Sequence, residues 1–198
     1  MESKITLKRV LVVASTIVII VSSLTIFLDF RGFGHSSKNP SLAFWKQSVS
    51  GFPVRIKIST INVDTVVESV GLTNEGLMDV PKDTANTAWF NLGPRPGEKG
   101  SSVINGHVDR IDGTPGVFSN LDRLKKGDKL YTEDNEGRKT TFIVRESRIY
   151  RESEDASDVF NSDDEVAHLN LITCSGPWSK ASKTFLNRLV VFTDMQAE

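Results

Sequence analysis

Between residues 53 and 193 the chain repeats one pattern: short runs of alternating apolar and polar side chains, separated by turn-forming residues. Val54, Ile56 and Ile58 alternate with Arg55, Lys57 and Ser59, the period of a strand with one buried face. Residues 61–70 carry the β-branched Val63, Thr65, Val66, Val67 and Val70, and Gly71 with Asn74-Glu75-Gly76 supplies turns. Residues 77–80 read as a short strand closed by Pro81, and residues 85–90 as a helical turn. A loop with Pro94, Pro96, Gly97 and Gly100 precedes the apolar run that ends in Asn105-Gly106-His107. Val117, Leu121 and Leu124 share one face of a brief helix that stops before Gly127. Residues 129–132 and 140–150 flank Asp134-Asn135-Glu136-Gly137, a hairpin signal. After an acidic stretch at 152–165, residues 169–174 and 186–193 give two more strands. Short strands at this spacing predict an all-β sandwich or closed barrel.

The first thirty residues follow a different rule. Residues 10–28 hold no charge and are long enough to cross a hydrocarbon core of roughly 30 Å. Lys4, Lys8 and Arg9 stand before this run, which places residues 1–9 in the cytoplasm and the remainder outside the cell membrane. The run is long for a cleaved signal peptide and no A-x-A site follows it, so it reads as a single-pass transmembrane helix. Residues 29–52, rich in Gly, Ser, Lys, Asn and Pro, read as an extracellular stalk that contains His35. Residues 53–198 then form one folded domain.

Charge narrows the possible partners. Lys and Arg number 24 against 25 Asp and Glu, so no polycationic surface points to nucleic acid. The carboxylates Glu154, Asp155, Asp158, Asp163, Asp164 and Glu165 lack a recognisable calcium-ligand spacing and read as a solvated acidic loop. No metal or cofactor is called for.

Cysteine use is more informative. Cys174 is the sole cysteine, at the end of a strand, in a segment placed outside the cell where structural cysteines usually pair. Two readings stand: a buried small apolar residue, or a free reactive thiol. A reactive thiol needs a histidine and a cation. His168 begins the same strand and lies roughly 20 Å from Cys174 along it. His107 closes an apolar strand and opens a loop with Asp109 and Asp112; it is either a surface loop histidine or one facing a cleft. Arg188 interrupts the last apolar strand and points either to solvent or into a polar cleft. Arg145 and Arg148 read as outward-facing.

His107, Cys174 and Arg188, in that order, resemble the sortase family. Gly106-His107-Val108-Asp109 is similar to the family's histidine loop. Asn170-Leu171-Ile172-Thr173-Cys174 is similar to its T-L-x-T-C strand, with Asn170 in place of the first threonine. Arg188 stands at the position of the catalytic arginine, and the similarity runs from about Pro53 to Thr193. The segments from Gly71-Leu72 to Ala88-Trp89, with Pro96-Gly97, resemble class F most, classes D and E being the alternatives.

The resemblance implies a closed eight-stranded β-barrel with short helices and a cysteine transpeptidase that cleaves LPxTG-like C-terminal sorting signals on secreted proteins. Cys174 is then the nucleophile that carries a thioacyl intermediate, His107 the general acid and base, and Arg188 the substrate and oxyanion partner, with Thr173 shaping the pocket. The acceptor implied is an amine of peptidoglycan or of a pilin. No residue that orients His107 is identified; Asp109 and Asp112 are its acidic neighbours. A thiol hydrolase on the same residues, or an inactive membrane-tethered binding module, are the alternatives.

Overall fold

The computed structural model describes residues 51–197 apart from 111 and 152. The stalk histidine and the apolar run at 10–28 lie outside the described residues. No helix among the described residues is long and apolar enough to cross a membrane.

Eight strands close into a barrel in the order β1-β2-β3-β4-β7-β8-β6-β5. They are β1 (Pro53–Ile58), β2 (Val63–Val70), β3 (Thr87–Phe90), β4 (Gly100–Gly106), β5 (Lys129–Asp134), β6 (Lys139–Arg151), β7 (Ala167–Ser179) and β8 (Thr184–Met195). Closure gives every strand a neighbour on both sides, although β6 beyond Ile143 and β7 beyond Ile172 run on against β8 alone. Six pairings are antiparallel; β2–β3 and β4–β7 are parallel and need chain that crosses between them. The β5–β6 hairpin turns at Gly137, whose φ of 79° lies in the left-handed region that glycine enters without strain.

The two-residue period of the strands divides the apolar side chains into two layers. Ile56, Ile58, Phe142, Leu169, Leu171, Leu189 and Val191 point into the barrel, where Phe118 and Leu121 join them from the loop after β4. Val103, Tyr150, Val190 and Phe192 face outward and are covered by Val159 and Phe160 of the crossover between β6 and β7. That crossover holds the single-turn helix α1 (Ser157–Phe160).

Four local expectations change. Residues 87–90 form β3 rather than a helical turn: the strand pairs on both sides, and burial of Thr87, Ala88 and Trp89 in succession erases the alternation that marks a half-buried strand. The helix expected after Val117 shrinks to a 3₁₀ turn, Leu121–Arg123, because Phe118 is drawn wholly into the core. The 77–80 strand is a single bridge, Leu72 to Met78, with Leu77 and Val80 exposed. The acidic stretch, in turn, is more than a solvated loop, since its Val159 is 1% exposed over the outer face of the barrel.

Candidate active site

Register decides which side chains meet. Cys174 on β7 is the direct cross-strand partner of Arg188 on β8, so their side chains leave the same face of the sheet. On the other side of β7, the parallel strand β4 places Asn105 beside Ile172. Two residues on, Cys174 on β7 and His107, just past the end of β4, continue that face. The three residues therefore arrive together at one end of the outward face. They line a cleft of about 500 Å³ whose floor includes Asn105, Ile172 and Val190.

The thiol of Cys174 is half-buried. Burial pushes its pKa above the ordinary value, the positive charge of Arg188 opposes that rise, and the carboxylate of Asp109 adds to it. Arg188 is held by its own hairpin: Nη1 donates to the carbonyls of Phe185 (2.7 Å) and Asn187 (3.0 Å), and Nη2 to Thr184 Oγ1 (3.2 Å). These bonds fix the plane of the guanidinium beside the thiol. They also add Thr184 to the site, a residue that the sequence pattern does not single out.

His107 is pinned through its main chain. Its carbonyl accepts from Phe118 N at 2.9 Å, and Gly116 lies so close that a Cβ there would sit 2.4 Å from that oxygen. The ring places Nε2 3.2 Å from the carbonyl of Pro81. Neither acidic neighbour takes that position: Asp112 accepts from Thr114 N and Oγ1, and Asp109 bridges to Pro115 through its backbone. Thr173 is buried, and its hydroxyl donates to Gly106 O at 2.8 Å. It thereby ties β7 to β4 one residue before both Cys174 and His107. Asn105, also buried, donates through Nδ2 to Asp79 O at 2.8 Å, while its Oδ1 has no partner among the described residues. The sequence did carry a signal for Asn105: a polar residue in a run of strand residues, two places before the histidine.

His168 lies at the far end of the same face. It is 4% exposed, with Nδ1 2.8 Å from Asp194 and Nε2 2.8 Å from Asp164. Arg145 and Arg148 reach carboxylates of Asp194 and Asp158 respectively. Among the described residues no group of three or more acidic, histidine or cysteine side chains is placed to hold a metal ion. The crossover carboxylates have other partners: Asp155 bonds Ser157 N, Asp158 bonds Arg148 and Tyr150, and Glu165 pairs with Lys99.

A half-buried thiol with an imidazole and a fixed guanidinium in one cleft of a closed barrel defines a candidate centre for thiol-dependent acyl transfer. The family is settled by comparison: the chain belongs to the sortase family, whose domain model matches residues 56–196. Its members are cysteine transpeptidases of the cell wall. Solved structures with the same fold include sortase C-1 from Actinomyces oris, with 23% identity, 74% of this chain and 76% of that one covered, and a TM-score of 0.56. A sortase D5 transpeptidase from Clostridium perfringens shows 24% identity over 74% and 79% of the two chains, with a TM-score of 0.55. A lid mutant of sortase A from Corynebacterium diphtheriae shows 18% identity over 75% and 72%, with a TM-score of 0.57. A search of curated proteins returns no match.

Proposed function

We propose that this chain is a membrane-anchored sortase that cuts an LPxTG-like sorting signal and joins the released acyl group to an amine of the cell wall or of a pilin. The observation that carries the reading is the cross-strand pairing of Cys174 with Arg188 in the cleft that His107 also lines. Cys174 gives up its proton to His107, and the sulfur attacks the threonine carbonyl carbon. The C–N bond breaks as His107 returns the proton to the leaving amine, leaving a thioacyl enzyme. An incoming amine, deprotonated by His107, attacks the thioester and restores the thiol. Arg188 stabilises the oxyanion at both tetrahedral stages.

Burial raises the Cys174 pKa against the pull of Arg188, which gives His107 a proton to take as the sulfur attacks. Side chains fill every role in this scheme, so a chelator should leave turnover unchanged. Assignment to class F is supported by Gly71-Leu72, Ala88-Trp89 and Pro96-Gly97. The charge-free run at 10–28 after Lys4, Lys8 and Arg9 supports a cytoplasmic N-terminus and an extracellular catalytic domain.

The test is product analysis. The chain, incubated with an LPxTG peptide and a glycine-based amine, should give the new amide, and its intact mass should gain the acyl fragment. Cys174→Ala should give neither. Acid as the sole product would make the chain a hydrolase, and unchanged surface-protein attachment in cells carrying Cys174→Ala would remove the enzymatic reading.

A further inference from the structure

The segment that crosses from β2 to β3 makes two side-chain contacts with the face that carries His107. Pro81 O lies 3.2 Å from His107 Nε2, and Asp79 O accepts from Asn105 Nδ2 at 2.8 Å. A main-chain carbonyl can accept a hydrogen bond and cannot donate one. Nε2 therefore carries the hydrogen in this contact, and the neutral ring keeps its lone pair on Nδ1. The crossing segment is itself tied down on both sides. Asp79 N donates to Gly71 O at 3.0 Å, and Glu68 accepts from the main-chain N–H groups of Lys82 and Asp83.

Asn105 lies on the same face as His107, two residues before it, and is 8% exposed. Its Oδ1 is buried without a partner among the described residues, a cost that an apolar side chain in the same place would avoid. Packing alone does not account for an amide here. Its donor does, because that donor holds the segment whose next carbonyl but one orients the histidine.

We propose that residues 79–81 orient the catalytic base: the Pro81 carbonyl fixes His107 as the Nε2–H tautomer, Nδ1 exchanges protons with Cys174 and with the two amines, and Asn105 is a positioning residue that keeps the segment in place. The proposal rests on the reading of His107 as general acid and base. In each proton transfer Nδ1 gains or loses the hydrogen, while the other hydrogen stays on Nε2, donated to Pro81 O.

The full chain in detergent, with ¹⁵N-labelled histidine, tests this through long-range ¹H–¹⁵N spectra, the His107 signals being identified by their loss in His107→Gln. The expected result is a protonated Nε2 and an unprotonated Nδ1 on the neutral ring. Asn105→Leu should lower kcat by about 10- to 100-fold, a share of what a misplaced general base forfeits, with KM little changed. It should also raise the Nδ1–H fraction, while Asn105→Gln, which keeps an amide donor, should recover part of the loss. An Nδ1–H ring in an active wild-type chain overturns the proposal, as does an Asn105→Leu chain with wild-type tautomer and kcat. Should Asn105→Leu not fold, the wild-type spectrum alone decides. Absence of any acyl transfer by the wild type overturns the functional reading, and with it the proton role of Nδ1, whichever tautomer is seen.

Discussion

Cys174 stands between two opposed charges. Arg188 lowers the thiol pKa and Asp109 raises it, while burial sets the larger upward shift. Replacing Arg188 by Ala should therefore move the pH profile of thiol alkylation to higher pH, and Asp109→Asn should move it lower. No movement in either variant would mean that neither charge acts on the sulfur. Arg188→Lys separates charge from shape. An ammonium keeps the positive charge yet cannot hold the Phe185 and Asn187 carbonyls and Thr184 Oγ1 with a planar fork, so alkylation should shift little while most turnover is lost. Near-normal turnover would argue against Arg188 as the oxyanion partner. His168 gives the converse case. It bridges Asp164 of the crossover to Asp194 of β8, away from the cleft, so His168→Ala should lower the melting temperature and leave turnover of the folded protein largely intact. Loss of turnover at a temperature where the variant stays folded would bring His168 into the chemistry.

Elements convert these residues into a site, and they differ in how plainly the sequence announces them. β7 was legible because Leu169 and Leu171 alternate with polar neighbours, and β8 because it is a run of β-branched and large apolar residues interrupted by Arg188; once the strands pair, their register places Cys174 and Arg188 on one face. β3 was not, because a short strand buried on both faces shows no period. The orienting partner of His107 was beyond reach for a different reason. A main-chain carbonyl 26 residues away leaves no trace in residue type, and the eye goes instead to Asp109 and Asp112 nearby. The loop after β4 carries its own constraint. Gly116 N donates to Val108 O at 3.0 Å, and a methyl group at Gly116 would lie 2.4 Å from the His107 carbonyl, against backbone that cannot swing aside. Gly116→Ala should push the His107 main chain out of place and cut kcat by at least about tenfold, in line with what misplaced catalytic groups lose. Gly113→Ala, in the same loop with open space around it but a φ of 79°, should affect local stability more than turnover. Equal loss of kcat in the two variants would contradict the close approach as the cause.

At the scale of the molecule, the barrel closes where β1 meets β5, and the chain enters the fold at that seam. Asp134 sits there as the partner of Pro53. Its carboxylate accepts from Gly51 N at 2.8 Å, from the main-chain N–H groups of Glu136 and Arg138 at 2.9 Å, and from Arg138 Nε at 2.8 Å. Asn135 adds a second tie, its side chain accepting from Phe52 N and its N–H donating to Phe52 O. One carboxylate thus binds the hairpin turn to the first residues of the barrel. Burial works against the ionised form, but the bonds from Arg138 and the three main-chain N–H groups outweigh it and hold the pKa at about 2, below the ordinary 3.8. The unfolded chain consequently takes up this proton before the folded one does. The stabilisation is complete above about pH 4 and is lost as the pH falls toward 2. Melting temperature measured across that range should decline for the wild type. Asp134→Asn should start lower at neutral pH, since an amide offers one acceptor oxygen where the carboxylate offers two, and should then decline less steeply. Parallel declines would show that the acid sensitivity of the barrel arises at other carboxylates. Catalysis supplies an independent control, because Asp134 lies outside the residues that line the cleft: at neutral pH and moderate temperature the variant should turn over substrate as the wild type does.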